Sequence, residues 1–201
     1  MKIKFFITFT LLFSVFYNVK AQDKWELRKN ENGITIYSRR EGKIIHLKLN
    51  TEFDCTPERL ERELLNIEGY PNWVYGNKRS GIIKKVSNRN LIYFTEAHLP
   101  WPIKDRDLVI ELTINPATGN NPLIIQAKSV DGYLPPKDHF IRVPYSLATW
   151  KAMPVPGNKI KLEYTFSLDP GGSIPGWLVN WTIAKGPYES FLKLGEILKS
   201  K

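Results

Sequence analysis

Few side chains in this chain are placed to do chemistry, and one arginine stands out among them. The stretch Leu99-Pro100-Trp101-Pro102-Ile103-Lys104-Asp105-Arg106-Asp107-Leu108-Val109 runs from a proline-rich loop into a strand pattern. Strand alternation puts Arg106 on one face with Leu108, Ile110, Leu112 and Ile114, and Asp107, Val109, Glu111 and Thr113 on the other. A guanidinium is thereby aimed at an apolar interior, and an unpaired buried charge costs several kcal/mol. Arg106 therefore needs an anionic partner. Glu96 on the preceding strand is the nearest along the chain, and the phosphate or carboxylate of a bound molecule is the other candidate. A structural ion pair at the rim of the fold satisfies the same pattern. Asp107 is turned outward, where solvation is expected rather than a catalytic pair with Asp105.

The remaining reactive types point away from catalysis. His46, His98 and His139 are scattered without metal-ligand spacing. Cys55 precedes a helix start but has no evident base, which reads as a small buried hydrophobe. Ser146 and Ser167 lack the context of a nucleophile elbow, and Gly171-Gly172 lacks the spacing of a nucleotide-binding loop. No catalytic residue, metal or cofactor is expected.

The elements that must position Arg106 are mostly strands. Ile45, Leu47, Leu49, Thr51 and Phe53 alternate with polar residues, as do Ile160, Leu162, Tyr164, Phe166 and Leu168. Weaker strand patterns cover residues 24–29, 33–40, 80–86, 90–98, 106–115, 122–130 and 139–153, with turns at Asn32-Gly33, Asn88-Arg89 and Pro156-Gly157-Asn158. Thr56-Pro57 starts a short helix carrying Leu60, Leu64 and Ile67 on one stripe. A second helix begins near Ile174-Pro175 and runs almost to the end, with Trp177, Leu178, Trp181, Phe191 and Leu198 among its apolar residues and Gly186-Pro187 as an expected kink. Strands, short helix, strands, long helix is the order of an α+β sheet curled around a terminal helix. Periodicity alone does not separate a filled core from a lined cavity.

The first residues read as a processing signal: Lys2 and Lys4, an apolar run from Phe5 to Tyr17, and small residues at Val19 and Ala21. Residues 1–21 are expected to be cleaved, leaving 22–201 as one domain in a periplasmic or secreted location. The whole chain has 29 Lys+Arg against 20 Asp+Glu; the signal would carry away Lys2, Lys4 and Lys20 and no acid, leaving +6. That excess favours anionic membrane surfaces. Nucleic acid is not expected as a partner, since no basic helix or zinc spacing is there to read it.

Residues 99–109 resemble the Pro-aromatic-Pro, Arg-Asp-x-Val signature of START domains, the lipid-transfer family related to steroidogenic acute regulatory protein. Asp169-Pro170-Gly171-Gly172-Ser173-Ile174-Pro175-Gly176-Trp177-Leu178-Val179-Asn180-Trp181 is similar to that family's approach to its last helix, and Gly33-Ile34-Thr35-Ile36-Tyr37 and the strand around Arg142 also fit. The likeness is strongest to the phosphatidylcholine-transfer branch. It implies a helix-grip fold, with a curved antiparallel sheet of about nine strands around the C-terminal helix and a tunnel for one lipid. It also implies a loop from Leu99 to Asp105 beside the tunnel mouth, Arg106 at a polar spot in the tunnel, and an acid at Glu96. Arg106, Glu96, Trp101, Tyr164, Trp177 and Trp181 are the expected ligand-binding residues. The expected activity is that of a monomeric carrier moving a phospholipid or sterol-like lipid between membranes outside the cytoplasm. A helix-grip enzyme of the aromatase/cyclase type and a lipid-sensing scaffold without transfer are the alternatives.

Overall fold

The computed structural model describes residues 24–119, 121–173 and 176–199, the side chains of 176–182 excepted. The expected signal at 1–21 and the Ile174-Pro175 step lie outside the described residues. Ten strands form one sheet: β1 (Glu26–Glu31), β2 (Ile34–Glu41), β3 (Ile44–Phe53), β4 (Asn77–Ser87), β5 (Asn90–Ala97), β6 (Asp105–Asn115), β7 (Leu123–Ser129), β8 (Phe140–Arg142), β9 (Tyr145–Val155) and β10 (Lys159–Asp169). Helix α1 (Pro57–Leu65) and a 3-10 turn at Ile67–Asn72 separate β3 from β4, and helix α2 (Gly176–Lys199) closes the chain. The strand order is β1-β2-β3-β10-β9-β7-β6-β5-β4, all antiparallel, with β8 adding a short parallel pairing to β6.

Tight turns carry the hairpins. Asn32 and Gly33 (φ 50° and 74°) and Gly157 and Asn158 (φ 86° and 57°) hold the left-handed backbone that suits the sheet's twist. The single run expected over residues 139–153 is in fact two strands, broken at Val143-Pro144. Proline has no N–H for a ladder, so the chain leaves β6 there and joins β10 instead. Thr56 caps α1 by accepting the Arg59 N–H at 3.2 Å. Arg59 then reaches both Glu63 (3.1 Å) and the Ile197 carbonyl (2.9 Å), tying α1 to α2.

The core lies between the concave face of the sheet and the two helices. Ile36, Leu49, Leu60, Leu112, Leu123, Ile160 and Leu194 are wholly buried there, each worth roughly 1.5–3 kcal/mol. The convex face is not uniformly wet. Register places Ile92, Phe94 and Glu96 of β5 opposite Glu111, Val109 and Asp107 of β6 on that outer face, yet Ile92 and Val109 are 1% exposed. Lys137, from the segment between β7 and β8, pairs with Glu96 and sits over the Phe94 and Phe140 rings. The two ends of the sheet path are β1 and β4, and β4 pairs irregularly, with register shifts at three places.

Candidate functional site

Inward-facing residues of β5, β6, β9 and β10 meet α2 around a cavity of about 420 Å³. Its walls are overwhelmingly apolar and aromatic. The Trp150 ring stacks on Phe191 (centroids 5.0 Å, planes 7° apart), and Tyr164 leans on both at 4.6 Å and 5.1 Å. Tyr93 meets Tyr70 edge-on at 5.7 Å, and Trp73 links Tyr70 to Trp150. Burial raises the phenol pKa of Tyr93 and Tyr164, so both hydroxyls stay protonated.

Arg106 is the one charged side chain among the described wall residues, and it is 4% exposed. As alternation requires, it points inward. Its guanidinium donates to the carbonyl oxygens of Lys104 (2.5 Å), Gly171 (3.1 Å) and Pro170 (3.4 Å). One end of this set is the loop after β5 and the other is the junction between β10 and α2. Burial lowers the guanidinium's pKa, and the neighbouring Asp105 carboxylate opposes that effect. Asp105 itself accepts from Leu99 N (3.1 Å) and lies 3.0 Å from His98 Nδ1, which fixes the base of the loop. Gly171 and Gly172 take φ of 65° and 61°, and a Cβ on Gly172 would meet Ile141 Cδ1 at 2.9 Å. Only glycine lets the backbone pass this close to β8.

The expected Arg106–Glu96 pair does not form. Glu96 stands opposite Asp107, on the convex face, and its carboxylate is taken by Lys137. Glu96 therefore has no place in the cavity wall. Asp107 does turn outward but is not solvated: it is 3% exposed, and Arg142 grips it through two bonds of 3.0 Å and 2.7 Å. Arg142 also donates to the carbonyls of Leu134 and Pro135, so the outer pair anchors the covering segment. Trp101 is 92% exposed at the tip of its loop, away from the wall. Tyr164 is in the wall. The side chains of Trp177 and Trp181 lie outside the described residues. Tyr93, Trp150 and Phe191 are wall residues that sequence reasoning did not single out. All three sit at inward positions of their elements, Phe191 on the periodic stripe of α2 and Tyr93 and Trp150 on weaker strand patterns, and alternation is the signal that could have found them.

Among the described residues nothing else resembles a reactive centre. Among the described residues no His, Cys, Asp and Glu cluster of three or more could hold a metal. Cys55 is buried, its thiol pushed up to about 11 by burial. His46 Nδ1 lies 2.8 Å from Ser167 Oγ across β3 and β10, and neither residue is in the cavity wall.

A START domain profile matches residues 18–199. This chain belongs to the START domain family. An uncharacterized protein of Pseudomonas aeruginosa is 28% identical over 178 residues, 88% of this chain and 87% of that protein. The phosphatidylcholine transfer protein of Mus musculus is 26% identical, with 84% of this chain and 80% of the mouse protein covered. The crystal structure of a STAR-related lipid transfer protein from Xanthomonas axonopodis superposes with a TM-score of 0.78 at 24% identity, covering 89% of this chain and 100% of that one. The START grip, with its sheet closed on α2, is thus the frame that holds the cavity and Arg106.

Proposed function

We propose that this START domain takes up one lipid in its cavity and carries it between membranes outside the cytoplasm. The observation that carries this reading is an apolar cavity with a single charged side chain among its described wall residues, flanked at one end by a loop that exposes a tryptophan. Each methylene moved from water into such a space contributes about 0.8 kcal/mol, so one lipid chain gives ample holding energy. The names of the mouse and Xanthomonas relatives, both lipid transfer proteins, support the same reading. Release and uptake require α2 and the Leu99–Asp105 loop to part, and Trp101 is the side chain placed to enter the bilayer interface as they do. No helix among the described residues is long and apolar enough to cross a membrane, and the basic excess of the chain supports transient contact with an anionic surface as the mode of approach. Export rests on the signal pattern in residues 1–21.

The test is transfer of a labelled lipid mixture between donor and acceptor vesicles by the mature protein. Trp101→Ala is expected to slow transfer severalfold while leaving lipid retention by the protein intact. Equal transfer rates would remove the loop from the mechanism, and no transfer by the wild type would reject carriage. Intact mass of the chain recovered from the periplasmic or secreted fraction checks cleavage after Ala21; a full-length mass in the cytoplasm would reject export.

A further inference from the structure

Residues 130–139, between β7 and β8, form neither strand nor helix, and all of them except Val130, Leu134 and Lys137 are exposed. Ordering such a run costs backbone entropy at every residue, which its contacts must offset. Those contacts are few. At one end Val130 N donates to Val109 O at 2.9 Å. At the other, Lys137 pairs with Glu96 of β5 and lies over the rings of Phe94 (5.6 Å) and Phe140 (5.4 Å). Between them, the Leu134 and Pro135 carbonyls accept from Arg142, whose charge also feels Asp131. Among the described residues, Lys137 is the one side chain of the segment that makes a hydrogen bond or ion pair.

The chain leads inward from this outer pair within a few residues. Phe140 N donates to Lys137 O at 3.1 Å, so Lys137 and the start of β8 share one turn. In β8, Phe140, Ile141 and Arg142 stand opposite Asp105, Arg106 and Asp107. A Cβ on Gly172 would meet Ile141 Cδ1 at 2.9 Å, and one on Gly171 would meet Ile141 Cγ2 at 3.2 Å. Ile141 therefore lies directly against the β10–α2 junction, the same backbone whose carbonyls accept from Arg106. Val143, two residues on, is buried in the cavity wall. The path from convex-face ion pair to cavity is complete by that point.

We infer that Lys137, Glu96 and Ile141 are positioning residues for lipid exchange: the outer ion pair seats β8, and Ile141 braces Gly171 and Gly172 from outside the cavity. The inference rests on the reading of the site as a carrier's cavity. None of the three lines the wall, so they govern how fast the grip opens rather than how well it holds. A latch that stabilises the closed form equally with and without ligand leaves affinity alone. Releasing it speeds uptake and release by the same factor.

The experiment compares the mature wild type with Lys137→Met, Ile141→Ala, and the double variants Glu96→Gln/Lys137→Met and Lys137→Met/Ile141→Ala. Amide hydrogen exchange, read by mass spectrometry, needs no ligand. In Lys137→Met the amides of Leu168–Ser173 and Gly176–Lys185 are expected to exchange roughly tenfold faster, the worth of one charge-assisted hydrogen bond. Those of β3 should keep their wild-type protection. Unchanged protection at the junction, or equal loss along the whole chain, would overturn the latch. Glu96→Gln/Lys137→Met strands no buried charge, so its melting temperature should recover while the junction still opens fast. Recovery of slow opening would instead assign the effect to the stranded carboxylate and overturn the latch. Lys137→Met/Ile141→Ala should open little faster than the faster single variant, because both changes cut one path; full additivity would overturn that path. Lys48→Met, which breaks the exposed Lys48–Glu163 pair with the same change of charge, should leave the junction unchanged; equal acceleration there would reduce the effect to net charge.

Transfer to and from vesicles is then timed with pyrene-labelled phosphatidylcholine and pyrene-labelled hexadecanoic acid. In Lys137→Met uptake and release are expected to rise together at constant affinity, and a fall in affinity alone would overturn the positioning role. If the wild type carries neither probe, the carrier reading fails, and the hydrogen-exchange result still decides the latch.

Discussion

Two arginines at neighbouring strands, Arg106 buried and Arg142 half-buried, do different work, and the difference lies in what they face. Arg142 meets a carboxylate on the convex side, where Asp107 is buried and Arg142 is half-buried. Removing Asp107 leaves Arg142 half-buried with only the Leu134 and Pro135 carbonyls as acceptors, so Asp107→Ala is expected to destabilise the fold by about 1–3 kcal/mol. The paired replacement Asp107→Ala with Arg142→Leu should recover much of that loss in a thermal melt; equal loss in both variants would show that the ion pair is not the cause. His46 gives a pH test at the same scale. Its pKa is lowered, first by burial and then by Arg39, with Glu41 partly opposing. A histidine whose folded pKa lies below its unfolded value leaves the unfolded chain holding more protons around pH 6. Stability should therefore decline as pH falls below about 6.5, and His46→Gln should flatten that part of the stability curve. An unchanged acid limb would assign the decline to other groups. The inward direction of Arg106 was legible because alternation alone decides it. Its partners were not, because backbone carbonyls have no residue identity to read. Asp107 was misjudged for a related reason: nothing local to β6 announces that residues thirty positions on will cover it. The nearest available sign was Ile92 and Val109, apolar residues on a face that should have been polar.

Among the elements, the strands followed their period-2 patterns closely, and β3 and β10 pair over nine positions in the register that puts both apolar sets inward. The short β8 was merged with β9 because three residues carry too little alternation to declare themselves, and Pro144 gave the break its only sign. The cavity was illegible for a different reason: the apolar stripe of a helix is the same whether it touches the sheet or stands off from it. What keeps the two elements correctly spaced at one end is Arg106, which joins the β5–β6 loop to the β10–α2 junction. Arg106→Leu is expected to lower the melting temperature and, more tellingly, to speed release of bound lipid, since three carbonyls lose their shared donor. Arg106→Lys should restore only part of the effect, because an ammonium lacks the planar fork that reaches several acceptors. Release at the wild-type rate from a folded Arg106→Leu protein would show that the two segments are held together by other contacts.

For the molecule as a whole, charge governs encounter while the cavity governs retention. The net +9 of the full chain, which the proposed cleavage of residues 1–21 would reduce, is spread over a surface whose ion pairs are largely exposed and therefore individually weak. Association with vesicles containing anionic lipid should weaken several-fold between low salt and about 0.5 M salt, because screening lengths shrink well below the protein's size. Lipid retention in solution should not change. If both changed together, the bound molecule itself would be held by charge.

An open sheet also faces a hazard that a closed barrel escapes: its outer strands present unpaired backbone to every other protein nearby. In this molecule β4 is broken by three register shifts and carries Lys78, Arg79, Lys84 and Lys85, while β1 alternates Glu26, Arg28, Lys29 and Glu31 in local ion pairs. A second copy approaching β4 edge-on meets like charge and a ladder that cannot continue straight. The parting of the grip proposed for lipid uptake can thus occur while its rim gives fibrils a poor template to grow from.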